Sequence, residues 1–124
     1  MVVLAASCTG SEEEPPPPTG QSTGPQAAIE GLCEAETLAA GGLQEEARQV
    51  FQDRSHEYLH ELAAQLEEPD RELAGQLLKA KQEVEVALEE RSDPESLATR
   101  ISALRAVVES ALPVVGVTNV GCFK

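Results

Sequence analysis

Residues 43–91, LQEEARQVFQDRSHEYLHELAAQLEEPDRELAGQLLKAKQEVEVALEER, decide the fold. Apolar residues recur every three or four positions on both sides of Pro69, which is the spacing of a buried helix face. Proline ends a helix because it lacks an amide donor, yet it is tolerated in the first turn of the next helix. The stretch therefore predicts two amphipathic helices, one over residues 43–67 and one over residues 69–91.

Two further helices flank this pair. The same periodicity predicts a helix over residues 26–40, which ends at Gly41–Gly42 because glycine adopts the left-handed cap conformation without steric cost. A fourth helix is predicted over residues 93–112, where Ser92 and Glu95 have the spacing of a capping box. The predicted core positions are Ala28, Ile29, Leu32, Ala35 and Ala39 in the first helix, Ala47, Phe51, Tyr58, Leu62 and Leu66 in the second, Leu73, Leu77, Ala80, Val84 and Ala87 in the third, and Leu97, Ile101, Leu104, Val108 and Ala111 in the fourth.

These segments predict the architecture. Amphipathic helices joined by short connections favour antiparallel neighbours. We therefore expect an all-α fold, a small up-down four-helix bundle over residues 25–124. The nearest variant is a long hairpin of the second and third helices with the two smaller helices packed on it. The tail after Pro113 is expected to lie as coil against the bundle.

Composition limits the functions that are available. The chain has 124 residues, of which 22 are acidic and 9 basic, and its formal net charge is −13. A chain of this length supports one small domain. Nucleic-acid binding needs a basic surface, and one Tyr, two Phe and no Trp offer no platform for stacking bases. We expect no nucleic-acid partner.

The first 24 residues, MVVLAASCTGSEEEPPPPTGQSTG, differ in composition from the rest of the chain. Three consecutive glutamates repel one another, and the four prolines at positions 15–18 favour extended polyproline II. A segment of this composition cannot bury enough apolar surface to offset the entropy of ordering. Residues 8–24 are therefore predicted to form a disordered Pro/Glu-rich tether.

The segment Leu4-Ala5-Ala6-Ser7-Cys8 resembles the lipobox of bacterial lipoproteins. The resemblance implies that residues 1–7 are the end of a truncated signal peptide and that cleavage occurs before Cys8. Cys8 would then carry the lipid that anchors the protein to the membrane. Ala5 stands where the family usually has leucine, and no Lys or Arg precedes Arg48, a gap that a start codon assigned too late would explain. The implied location is the outer face of the bacterial cytoplasmic membrane or the cell envelope.

Cys33 and Cys122 are predicted to form a disulfide. An even number of antiparallel helices brings the end of the fourth helix back to the end at which the first began. The fourth helix is separated from Cys122 by nine residues, Pro113 to Gly121. Fully extended, these residues span up to ~30 Å, which is enough for Cys122 to reach Cys33. If Cys8 carries lipid, an even pair remains, as expected outside the cytosol. The alternative is two unpaired thiols.

The segment His56-Glu57-Tyr58-Leu59-His60 matches HExxH, the motif of the zincin metalloproteases, in which two histidines bind zinc and the glutamate activates water. Zincins also use a β-sheet and a third ligand. No strand is predicted here, and Glu83 and Glu85 are only formal candidates for that ligand. At 100° per residue both histidines point away from the predicted core face and toward water. We therefore do not expect a catalytic role.

A simpler metal site remains a hypothesis. His56 and His60, spaced i, i+4, could chelate one divalent cation, with Asp53 or Glu57 beside them. Two imidazoles and a carboxylate suit Zn, Cu or Ni. Two other hypotheses are that both histidines are ordinary solvated residues and that they contact a partner.

Together these patterns predict a non-enzymatic exported lipoprotein. It would display a small helical domain with a binding or envelope-structural role, and the sequence does not identify the protein partner or small ligand. The alternative is a divalent-metal-binding module that uses His56 and His60, and a metallopeptidase is a distant third. No cofactor beyond such a metal is expected.

Overall fold

The computed structural model describes residues 24–122 and places them in four helices: α1 (Pro25–Ala40), α2, α3 (Arg71–Glu89) and α4 (Pro94–Ala111). Helix α2 has three consecutive parts, an α-helical segment Gln44–Val50, a π-helical turn Phe51–Ser55 and an α-helical segment His56–Leu66. A short 3-10 turn, Leu112–Val115, follows α4. No strand occurs between residues 24 and 122. The predicted all-α fold is confirmed, and each observed helix bound lies within two residues of its predicted position.

Consecutive helices are neighbours in space. Helix α1 packs against α2 and α4, and α3 packs against the same two helices from the other side. Short loops connect each helix to the next. This is the arrangement of an up-down four-helix bundle, and it confirms the predicted topology.

The core lies along the axis of the bundle, and its largest fully buried side chains come from all four helices. The predicted core positions of α1 and α4 are all buried. Helix α3 differs from the prediction, because Ala74 and Lys81 are buried whereas Leu73 and Ala80 are only partly buried. Lys81 is tolerated there because its aliphatic stem packs in the interior while its ammonium reaches the Glu85 carboxylate at 2.6 Å.

Two predicted helix starts are corrected by the observed caps. The Asp93 carboxylate accepts a hydrogen bond of 3.0 Å from the amide of Ser96, so Asp93, not Ser92, caps α4. The Asp70 carboxylate likewise accepts a bond of 3.1 Å from the amide of Leu73. Helix α3 therefore begins after Pro69, which lies in the preceding turn.

The predicted signal segment, Cys8 and most of the tether lie outside the described residues. Within residues 24–122, no helix combines the length and the apolar composition needed to cross a membrane.

Candidate functional site

The structure joins Cys33 and Cys122 in a disulfide, as the sequence predicts. Their Cα atoms lie 6.0 Å apart, although 89 positions separate the two residues in the sequence. This distance falls within the ~7 Å that a bridge can span without backbone movement. The bridge closes a loop that contains nearly the whole bundle, so it links the C-terminal tail directly to α1.

The tail is also fixed by contacts other than the disulfide. After the 3-10 turn, Gly116 adopts a left-handed backbone with φ of 85°, which reverses the chain toward α1. The Gln26 side chain donates a hydrogen bond of 2.9 Å to the Gly121 carbonyl. Val117 and Val120 pack against the core. The tail segment from Gly116 to Cys122, predicted to lie as coil against the bundle, is thus held against it by these contacts.

Ion pairs surround the disulfide. Arg54 on α2 contacts Glu34 at 2.6 Å and Glu30 at 3.5 Å, both on α1. Arg105 on α4 contacts Glu36 on α1 at 2.9 Å. Because carboxylates offset both guanidinium charges, the described residues beside the bridge offer no free cation to an anionic ligand.

The π-helical turn in α2 lies at a close approach between helices. Gly31 on α1 faces this turn, and a Cβ atom at Gly31 would lie 2.6 Å from Ser55 Oγ and 2.8 Å from Arg54 Cβ. The Ser55 hydroxyl is fully buried and donates a hydrogen bond of 2.8 Å to the Ala28 carbonyl. Because residue 31 is glycine, the π-helical turn can pack directly against α1.

The π-helical turn changes the direction of His56. A π-helix turns through a smaller angle per residue than an α-helix. Residues after the turn are therefore rotated relative to the regular helix on which the prediction was based. The His56 side chain faces α3 and is 32% exposed, so the prediction that it points to water does not hold, whereas His60 is exposed as predicted. Tyr58 is buried as predicted, and Ser55 and Leu59 are buried beside it.

His56 lies in a charged cluster between α2 and α3. Its Nδ1 atom lies 3.3 Å from Oε2 of Glu85, and the same carboxylate oxygen binds Lys81 Nζ at 2.6 Å. The His56 and His60 rings meet edge to face, with centroids 4.7 Å apart. Burial lowers the pKa of His56, and the Lys81 charge lowers it further, while Glu85 opposes this shift. His56 is therefore neutral at pH 7.

The structure places the other proposed ligands apart from this cluster. Asp53 and Glu57 are exposed on α2, and Glu83 lies 3.8 Å from Arg100. In the described part of the chain, no three His, Cys, Asp or Glu side chains are grouped so that they could hold a metal ion. The carboxylate beside the histidine pair is Glu85, which comes from α3.

Two features of the site were missing from the sequence interpretation. The first is the burial of Lys81, although this residue stands four positions after Leu77 and three before Val84, in phase with the apolar face. The second is the π-helical turn, for which the sequence offers only a glycine in the apolar face of α1 as an indication. Gly31 marks a place where two backbones approach closely.

No family model, no curated protein and no solved structure matches this chain.

Proposed function

We propose that this chain is a non-enzymatic exported lipoprotein in which a disulfide-linked helical bundle is displayed from a lipid anchor at Cys8. The bundle would act as a binding or envelope-structural domain. The Cys33–Cys122 pairing is the observation that carries this proposal. Structural disulfides persist in oxidising compartments and are rare in the cytosol.

The number and placement of cysteines support the proposal. The chain has three cysteines, and two of them pair within the bundle. The third, Cys8, follows the small residues Ala5, Ala6 and Ser7, as the acylated cysteine of a lipobox does. The disulfide indicates export because it needs an oxidising compartment. The third cysteine indicates export because it lies in a lipobox-like segment.

The segment between Cys8 and α1 fits the same role. Residues 9–24 contain four prolines and three glutamates, and a polyproline spacer extends by about 3.1 Å per residue. A spacer of this length would hold the bundle roughly 50 Å from the lipid surface at most. The acidic surface of the bundle would also be repelled by anionic headgroups, which favours an extended spacer.

The test is lipidation in a bacterial host. The gene should be expressed together with the DNA immediately upstream of the Met1 codon, in cells fed an alkyne analogue of palmitate. We expect the protein to incorporate the analogue and to enter the detergent phase on Triton X-114 partitioning. The matched control, Cys8→Ser, should lose both properties and still contain the Cys33–Cys122 bridge in a peptide map.

Two results would overturn the proposal. The first is equal labelling of the Cys8→Ser protein and the wild type, because the lipid would then be attached elsewhere. The second is an unlabelled wild-type protein that stays in the cytosol, where alkylation would find Cys33 and Cys122 as free thiols.

A further inference from the structure

We propose that His56 and His60 form a two-imidazole chelate for a divalent transition metal, with copper(II) preferred, and that Glu85 orients His56 from the neighbouring helix. The inference rests on the proposed function in that it names the ligand class of the displayed domain. It differs from the sequence interpretation because it assigns the carboxylate role to Glu85 on α3 and not to Asp53 or Glu57 on α2.

The two imidazoles are already next to each other. Residues four apart lie on the same face of a helix. The ring centroids of His56 and His60 are 4.7 Å apart, so little side-chain movement is needed to direct one nitrogen of each toward a common ion. His56 is about one-third exposed and His60 is exposed, which gives an ion access from solvent.

Glu85 faces the Nδ1 atom of His56, which is buried and makes no hydrogen bond to the described residues. Its Oε2 atom lies 3.3 Å from His56 Nδ1. Histidine ligands commonly direct one ring nitrogen to a carboxylate, which favours a proton on that nitrogen and leaves the other nitrogen to the metal. In this cluster Nδ1 faces Glu85, so Nε2 is the nitrogen available for coordination.

Lys81 holds the carboxylate in place. Its side chain is 7% exposed, and its Nζ atom binds Glu85 at 2.6 Å. Since Lys81 and Glu85 are four residues apart on α3, this ion pair is built into one helix. It therefore presents Glu85 to His56 whether or not a metal is bound.

The donor set decides the class of metal. Imidazole binds a metal only in its neutral form. Two nitrogen donors leave the remaining positions to water. Among divalent ions, nitrogen sites bind copper most tightly, ahead of nickel and zinc.

The experiment is a titration of the full chain with copper(II) chloride at pH 7. Cys8 is first alkylated with iodoacetamide while the disulfide stays oxidised, so that no free thiol binds or reduces the metal. Isothermal calorimetry should show one ion per chain, and the electron paramagnetic resonance spectrum should show two coupled nitrogens. His60→Ala should weaken the affinity at least tenfold, and because His60 is exposed this variant should keep its helical circular dichroism.

Glu85→Gln tests the orienting role. It should weaken copper binding by ~10-fold or more, as loss of a carboxylate partner of a ligating histidine generally does. The matched controls, Asp53→Asn and Glu57→Gln, remove one charge each from the exposed side of α2 and should change the affinity less than twofold.

Three outcomes would overturn the proposal. One is copper affinity unchanged in folded His60→Ala. Another is a spectrum without nitrogen coupling. The third is a loss of copper affinity in Asp53→Asn or Glu57→Gln as large as that in Glu85→Gln, because Glu85 would then have no specific role at the site. None of these measurements depends on lipid, so failure of metal binding leaves the lipoprotein proposal standing, and the converse also holds.

Discussion

Replacing Gly31 with alanine tests the close contact between α1 and the π-helical turn. The added Cβ atom would lie 2.6 Å from Ser55 Oγ and 2.8 Å from Arg54 Cβ. The Ser55 hydroxyl could rotate away only by giving up its buried hydrogen bond to Ala28. The Arg54 Cβ atom is fixed to the backbone, so relief requires that α1 and α2 move apart.

The magnitude follows from two opposing effects. Alanine is favoured over glycine inside a helix by ~1 kcal/mol. Overpacking of a close contact costs ~1–3 kcal/mol, and the weakened Ser55 hydrogen bond adds ~1 kcal/mol. We expect Gly31→Ala to lower the free energy of unfolding by about 1–3 kcal/mol net. For a domain of this size the melting temperature should then fall by about 4–24 °C.

Gly75 provides a matched control. It lies inside α3, and a Cβ atom at this position would meet no atom within 4 Å. Gly75→Ala therefore gains the same helix propensity without steric cost and should raise the melting temperature by about 4–8 °C. Thermal unfolding of both variants, followed by circular dichroism at 222 nm, measures the difference. A Gly31→Ala protein that melts at or above the wild-type temperature would refute the proposed contact.

Three further predictions address the bridge, the histidine and the core. Reduction of the Cys33–Cys122 disulfide should lower stability by up to about 4.6 kcal/mol on the chain-entropy model, and so lower the melting temperature by up to about 18–37 °C. The metal-free protein should lose stability as the pH falls below 6.5 toward the lowered pKa of His56, because the unfolded chain takes up the proton more readily. Phe51→Ala should cost ~3–5 kcal/mol in a urea titration, since this side chain is fully buried.

Each of these predictions has a result that contradicts it. Cys122→Ser should already melt like the reduced protein, and a further decrease on addition of reductant would mean that another thiol is involved. His56→Ala should flatten the pH dependence of stability between pH 7.5 and 5.5. A stability profile parallel to that of the wild type would mean that other groups cause this dependence. A loss below ~1 kcal/mol for Phe51→Ala would place that ring outside the core.

The sequence by itself determined the helices, their order and the cysteine pair. Helix formation depends on residues three and four apart, so the apolar periodicity and Pro69 are enough to divide the chain. Short loops favour antiparallel neighbours. That topology brings Cys122 back to Cys33, and the observed Cα separation of 6.0 Å agrees with it. Each of these inferences uses local rules and chain geometry.

Only the tertiary structure decided where the histidines point and what they meet. The helical phase used for His56 assumes a regular helix, and α2 departs from it at Phe51–Ser55, where it rests on Gly31 of another helix. Contacts between residues far apart in sequence cannot be read from local periodicity. The cluster of His56, Glu85 and Lys81 has the same origin, because it forms only when α2 and α3 pack at this register and bury the Lys81 stem between them.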